Sequence, residues 1–112
     1  MFGFQRLDVY RCAILFLGHA SGLAERVPRG HATLADQLRR AALSVPLNIA
    51  EGTGKGDRDA ARFYTIARGS ALECAAILDV FEALAVVPAA QLQEPRDLLE
   101  RVVSMLTKLR EV

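Results

Sequence analysis

The chain is interrupted three times. The breaks fall at Pro28-Arg29-Gly30, at Gly52-Thr53-Gly54-Lys55-Gly56-Asp57, and from Pro88 to Pro95. Between them the apolar residues recur at helical spacing. That pattern constrains the fold more than any other feature. Four helix-length stretches, each with an apolar side, can only hide those sides against one another. Short breaks make successive helices antiparallel neighbours, so the expected fold is all-α, an antiparallel up-down-up-down four-helix bundle. At 112 residues the whole chain, 1–112, is expected to form a single domain. That length can bury a core without disulfides or metals. The apolar 52% is rich in Ala and Leu, and aromatic residues are scarce, which favours helix over sheet.

The first helix is expected over residues 4–24, with Leu7, Tyr10, Ile14, Leu17 and Ser21 on one stripe. Val9, Cys12, Ala13, Phe16 and Ala20 then extend the apolar surface around the back, more than one bundle partner needs to cover. These five are therefore the candidate oligomer interface, and the third helix has a similar apolar surplus in Leu72, Ala75, Ala76 and Ala83 that could serve as a second patch. The second helix runs from Ala32 or Thr33 to Glu51, with a stripe of Leu34, Leu38, Ala41, Val45, Asn48, Ile49 and Gly52. Pro46 falls inside it, and the stripe stays in phase across the proline, so one element is expected, bent near Leu43 to Pro46. Gly52 is suited to end this helix. The third helix, about 58–86, carries Phe63, Ile66, Ser70, Glu73, Ile77, Val80, Phe81 and Leu84 on one face, and Pro88 closes it. The fourth, about 94–111, starts near Pro95 and buries Leu99, Val102, Val103, Leu106 and Leu109. Its back is polar.

Charged residues make up 24% with a net charge of +1, so no strong overall field attracts nucleic acid or acidic lipid. The charge is uneven: residues 1–43 carry six Arg against three acids, and residues 44–88 four bases against six. Cys12 and Cys74 lack metal-ligand spacing and point to core thiols in a reducing cytoplasm. The apolar run Cys12 to Leu17 is too short to span a bilayer, and Asp8 argues against a signal peptide.

On the expected register Asn48, Glu51, Ser70 and Glu73 converge between the second and third helices, with Glu73 near the middle of a buried face. A buried carboxylate must be paired, hydrogen-bonded or protonated. A polar network fixing helix register accounts for the four residues most simply. A ligand or partner site is the alternative. A catalytic carboxylate pair is the least supported, because no nucleophile or histidine accompanies it. No catalytic residue, cofactor, metal site or small-molecule substrate is expected. His19 and His31 lack the Glu-x-x-His pairing of a di-iron bundle. The glycines from Gly52 to Gly56 follow no strand, and Lys55 precedes Gly56 rather than Ser or Thr, so they form a turn and not a phosphate loop. Arg39, Arg40, Lys55, Arg58 and Arg62 gather around the second and third helices as a candidate polyanion-binding face, interleaved with Asp36, Asp57 and Asp59.

The order of motifs carries a resemblance. Gln37-Leu38-Arg39-Arg40-Ala41-Ala42, Ser44-Val45-Pro46, Asn48-Ile49-Ala50-Glu51-Gly52, Arg62-Phe63 and Ile66-Ala67-Arg68-Gly69-Ser70-Ala71-Leu72-Glu73 follow one another. This arrangement resembles the four-helix bundle family encoded in intervening sequences of bacterial 23S rRNA genes. The accessory proteins of diversity-generating retroelements resemble the same family. The resemblance implies a cytoplasmic antiparallel bundle, commonly a homopentamer, that tolerates Pro46. It supplies no activity; nucleic-acid binding and contact with a reverse transcriptase belong to the retroelement branch. The expected function is therefore non-enzymatic: an oligomeric bundle that binds structured RNA or DNA or a nucleic-acid-processing partner. The alternative is a protein-only assembly module.

Overall fold

A computed structural model describes residues 1–111. Four helices carry the fold: α1 (Asp8–Arg26), α2 (Ala32–Thr53), α3 (Asp57–Ala83) and α4 (Gln93–Leu109), with 3-10 turns at Gly3–Arg6, Arg29–His31 and Ala89–Gln91. Each helix packs on two neighbours, in the order α1, α2, α3, α4 and back to α1, and the diagonal pairs barely touch. The result is an all-α four-helix bundle of 43 × 25 × 22 Å. Its length is set by α3, whose 27 residues reach about 40 Å at 1.5 Å per residue.

Side-chain contacts fix the helix directions. Ser44 on α2 meets Ser70 on α3, and near the other end of the same pair Gly52 meets Tyr64, so α2 and α3 are antiparallel. Arg96 at the start of α4 reaches Asp79 and Glu82 near the end of α3, while Arg68 donates to Thr107 at the opposite end. His19 and Arg26 of α1 lie beside Glu94 and Gln91, whereas Leu7 and Val9 share a groove with Met105 and Lys108. Alternation is thus complete around the bundle.

The core is built from small and large side chains in alternation. Phe16, Leu23, Leu38, Ile49, Leu78, Phe81, Leu92 and Leu106 fill the axis. Between them lie Ala13, Ala20, Ala42, Ala67, Ala71 and Cys74, all buried. Such small residues let helix backbones approach closely, and the bulky ones fill the space left over. The expected stripes of α2 and α4 largely match: Leu38, Ala41, Val45, Ile49 and Gly52, and Leu99, Val102 and Leu106, are buried, while Val103 is half-buried and Leu109 is exposed.

The other two helices are rotated from expectation. In α1 the buried residues are Val9, Cys12, Ala13, Phe16 and Ala20, joined by Leu23 and Ala24. The five assigned to an oligomer interface are the bundle-facing side, and Ile14 and Leu15 face solvent instead. In α3 the buried face is Tyr64, Ala67, Ala71, Cys74, Ile77, Leu78 and Phe81. Of the expected stripe Ile77 and Phe81 are buried, but the buried face is turned by roughly 80° from that stripe as a whole and leaves Ile66, Glu73, Val80 and Leu84 exposed. Glu73, expected in the core, is exposed. The cause is the same in both helices: Ala and Cys take the places where the backbones approach most closely, so Ile14 and Leu15 of α1 and Ile66 and Val80 of α3 stand outside.

Two boundaries differ as well. The second helix continues past Gly52 to Thr53 and is capped at Gly54. The third stops at Ala83, well before Pro88, because Ala85 takes φ 52° and turns the chain. The Val86 N–H then bonds to the Phe81 carbonyl and the Ala85 N–H to the Glu82 carbonyl, both at 3.1 Å. This is a Schellman termination with alanine where glycine is usual.

Candidate functional site

The polar residues of the central motif group around Ser44. The Asn48 side-chain amide donates to the Ser44 carbonyl at 2.8 Å and to the Ser44 hydroxyl at 3.0 Å. That hydroxyl shares a 2.8 Å hydrogen bond with the Ser70 hydroxyl across the α2–α3 contact. All three residues are half-buried. The group sits beside Pro46, which has no N–H to give the preceding turn of α2. The helix nevertheless continues through the buried Pro46. Ser44, Asn48 and Ser70 therefore tie α2 to α3 on the turn where the backbone ladder loses a bond. Ser44 belongs to the central motif but not to the four polar residues expected to converge.

Glu51 and Glu73 lie outside this group. Glu51 is exposed and stands 3.6 Å from Lys55 on the next turn, a surface pair worth little in stability. Glu73 is exposed on the outer face of α3, among Ile66, Gly69, Ala76 and Val80. Those positions repeat at intervals of three and four, the spacing of a helix–helix seam.

Gly52 has a steric role. A Cβ there would lie 2.8 Å from Cε1 and 3.1 Å from Cδ1 of Tyr64, and 3.2 Å from Cβ of Phe63. Only glycine lets the buried Tyr64 ring cover the end of α2. Burial raises the Tyr64 hydroxyl above its ordinary pKa.

The basic residues do not form one cluster. Arg39 and Arg40 lie near the middle of α2, level with the stretch of α3 beyond Ser70. Lys55, Arg58 and Arg62 sit at the α2–α3 turn, some 12 residues, or about 18 Å, away along the axis. Arg39 pairs with Asp36 at 3.1 Å. Arg62 and Lys55 both lie over the Phe63 ring, at 4.8 and 5.7 Å from its centroid. Among the described residues no ion pair engages Arg40, Arg58 or Arg62.

Two surface features go beyond the sequence reading, which places an apolar surplus on α3 at Leu72, Ala75, Ala76 and Ala83 but none on α2. First, bulky aliphatic side chains stand out from α2 and α3: Leu43 is 47% exposed, Leu47 58%, Ile66 42% and Leu72 45%. Second, α3 and α4 leave a groove of about 480 Å³ floored by Leu72, Ala75, Leu99 and Val103. Asp79, Arg96, Glu100 and Ser104 complete its lining. Arg96 is held at 2.7 Å by Glu82 and 3.0 Å by Asp79, which raises its already high pKa. The outer three-and-four spacing of α3 was a signal for the first feature. Nothing local announces the groove, which needs two helices in register.

Among the described residues no group of three or more His, Cys, Asp or Glu is placed to hold a metal, and no helix is long and apolar enough to cross a membrane. Cys12 and Cys74 are free and buried. No curated protein matches the chain. Among protein families, that described as 23S rRNA-intervening sequence protein matches residues 5–108, a span that takes in the Ser44–Asn48–Ser70 contact, the Gly52–Tyr64 approach and nearly all of the four helices. A match over that much of the bundle means that the chain belongs to the 23S rRNA-intervening sequence protein family.

Proposed function

We propose that this protein is a non-enzymatic assembly module of the reducing cytoplasm, which associates with copies of itself and presents a basic end to structured RNA or DNA. The observation that carries the assembly reading is the outward display of Leu43, Leu47, Ile66 and Leu72 on α2 and α3. Side chains of this size, grouped on adjacent helices, mark an association surface rather than a solvated one. Glu73, set among them, is a polar marker of register within such a surface. The assembly surface thus moves from the α1 residues, which the bundle itself consumes, to the outer faces of α2 and α3. Five copies is the number that the family resemblance implies. Buried free thiols fit a reducing compartment.

Light scattering or sedimentation at tens of micromolar tests this reading. A multiple of the monomer mass is expected, falling when Leu47 is replaced by Glu. A monomer mass for the unaltered protein overturns it. Phe16→Glu is not a useful probe, because Phe16 is buried in the core and the change unfolds the bundle.

Nucleic-acid contact rests on a separate observation, the cations Lys55, Arg58 and Arg62 at the α2–α3 turn, the last two without a carboxylate partner. Binding to a structured RNA should weaken steeply with salt as counterions are released. An Arg58→Ala, Arg62→Ala double variant should weaken it further. If no RNA binds at low salt, the protein-only module remains.

A further inference from the structure

We infer that the groove between α3 and α4 of one copy receives the α2 ridge of Arg40, Leu43 and Leu47 from the next. This inference rests on the self-assembly proposed above and names the two surfaces that meet. Three matches support it.

The first is length. The groove is lined over about two turns of each helix, from Leu72 to Asp79 on α3 and from Arg96 to Ser104 on α4. The ridge also spans two turns, from Arg40 to Leu47, about 10 Å at 1.5 Å per residue. Positions i, i+3 and i+7 put its three side chains on one line.

The second is chemistry. The groove floor is aliphatic, and Leu43 and Leu47 are aliphatic side chains left in water. The groove lining carries two carboxylates, Asp79 and Glu100, against the one cation Arg96, which Glu82 also holds from the groove's edge. Arg40 is an exposed cation without an ion pair among the described residues. Opposite charges that meet at the edge of an apolar contact favour one partner and one register.

The third is order. The antiparallel α3–α4 contact puts Asp79 level with Arg96, and therefore Leu72 level with Val103. One end of the groove is thus acidic and the other apolar. Along the ridge Arg40 is at one end and Leu47 at the other. Only one direction matches both, with α2 of the incoming copy running antiparallel to α3. Because ridge and groove are different patches, the contact is heterologous, and repeated contacts close a ring when the rotation divides a circle.

The test uses complementary losses. Leu47→Glu spoils the ridge and Leu72→Glu the groove; both positions are exposed, so the bundle still folds, as circular dichroism would verify. Each variant alone should sediment as a monomer. Mixed in equal amounts they should form a dimer and nothing larger, because one intact ridge meets one intact groove. A charge exchange is the second arm. Arg40→Glu and Glu100→Arg should each raise the concentration for half-assembly about tenfold, and their combination should bring it back to within about threefold of the unaltered protein. No dimer in the mixture, together with additive losses in the double variant, overturns this pairing while leaving self-assembly standing. A monomeric unaltered protein removes the assembly reading itself.

Discussion

Replacing Gly52 with alanine probes the close approach of α2 and Tyr64. At an exposed helical glycine the exchange to alanine stabilises by about 1 kcal/mol, because the unfolded chain loses freedom and the helix gains a better former. Gly18, with nothing within 4 Å of an added Cβ, should show that gain. At Gly52 the new methyl would meet Tyr64 Cε1 at 2.8 Å. Carbon atoms rest at about 3.5–4.0 Å, so the ring would have to retreat by roughly 1 Å. It has little room to do so, being only 8% exposed and held in the core. Phe63 Cβ, at 3.2 Å, is tied to the backbone and cannot swing away. Overpacking of this kind costs about 1–3 kcal/mol, which outweighs the propensity gain and leaves a net loss of about 1 kcal/mol. For a chain of this size that is about 4–6 °C in Tm. Thermal melts of the two variants at one protein concentration should move in opposite directions, Gly18→Ala up and Gly52→Ala down. In a Tyr64→Leu background the Gly52→Ala loss should shrink or reverse, because the two sites share one space. If Gly52→Ala raises Tm as Gly18→Ala does, the steric account of this glycine is wrong.

Two further outcomes are expected. Ala85→Gly should raise the unfolding free energy by about 0.5–1 kcal/mol, read as a higher urea midpoint at unchanged slope, because it relieves the left-handed backbone at the end of α3; a lower midpoint would contradict the termination described. Burial, helped by the neighbouring Glu73 charge, pushes the Cys74 thiol from 9.0 up to about 12. The unfolded chain therefore releases this proton first, so its contribution is fully present below about pH 9 and is lost as pH rises from there towards 12, by up to about 1.4 kcal/mol per unit. Tyr64, also raised by burial, adds a loss of the same sign at high pH. Urea midpoints measured from about pH 8 to 10.5 should fall, and fall less for Cys74→Ala; equal slopes for the two proteins would refute the assignment to Cys74.

The helix count, the breaks and the buried faces of α2 and α4 were legible in the sequence. In α4 every large aliphatic falls on one side and every charge on the other, so the pattern and the packing are the same statement. Stripes of α1 and α3 were not legible. Both helices are apolar on more than one side, and burial then depends on which side lets the backbones approach. Ala13, Ala20, Ala67, Ala71 and Cys74 win the interior because close packing rewards small side chains opposite Phe16, Leu78 and Phe81. Periodicity weighs residues by hydrophobicity and does not see that fit. The same limit explains Glu73, which shares a helical stripe with core-like residues and yet faces out. Asn48 and Ser70 were placed together from sequence, because a polar group inside an apolar stripe needs a partner. Their link through Ser44, the glycine demanded by Tyr64, and the acidic groove between α3 and α4 depend on residues 12 to 31 apart lying at the same height in the bundle. Sequence spacing sets the face of one helix. The height of one helix against another is decided only when the core closes.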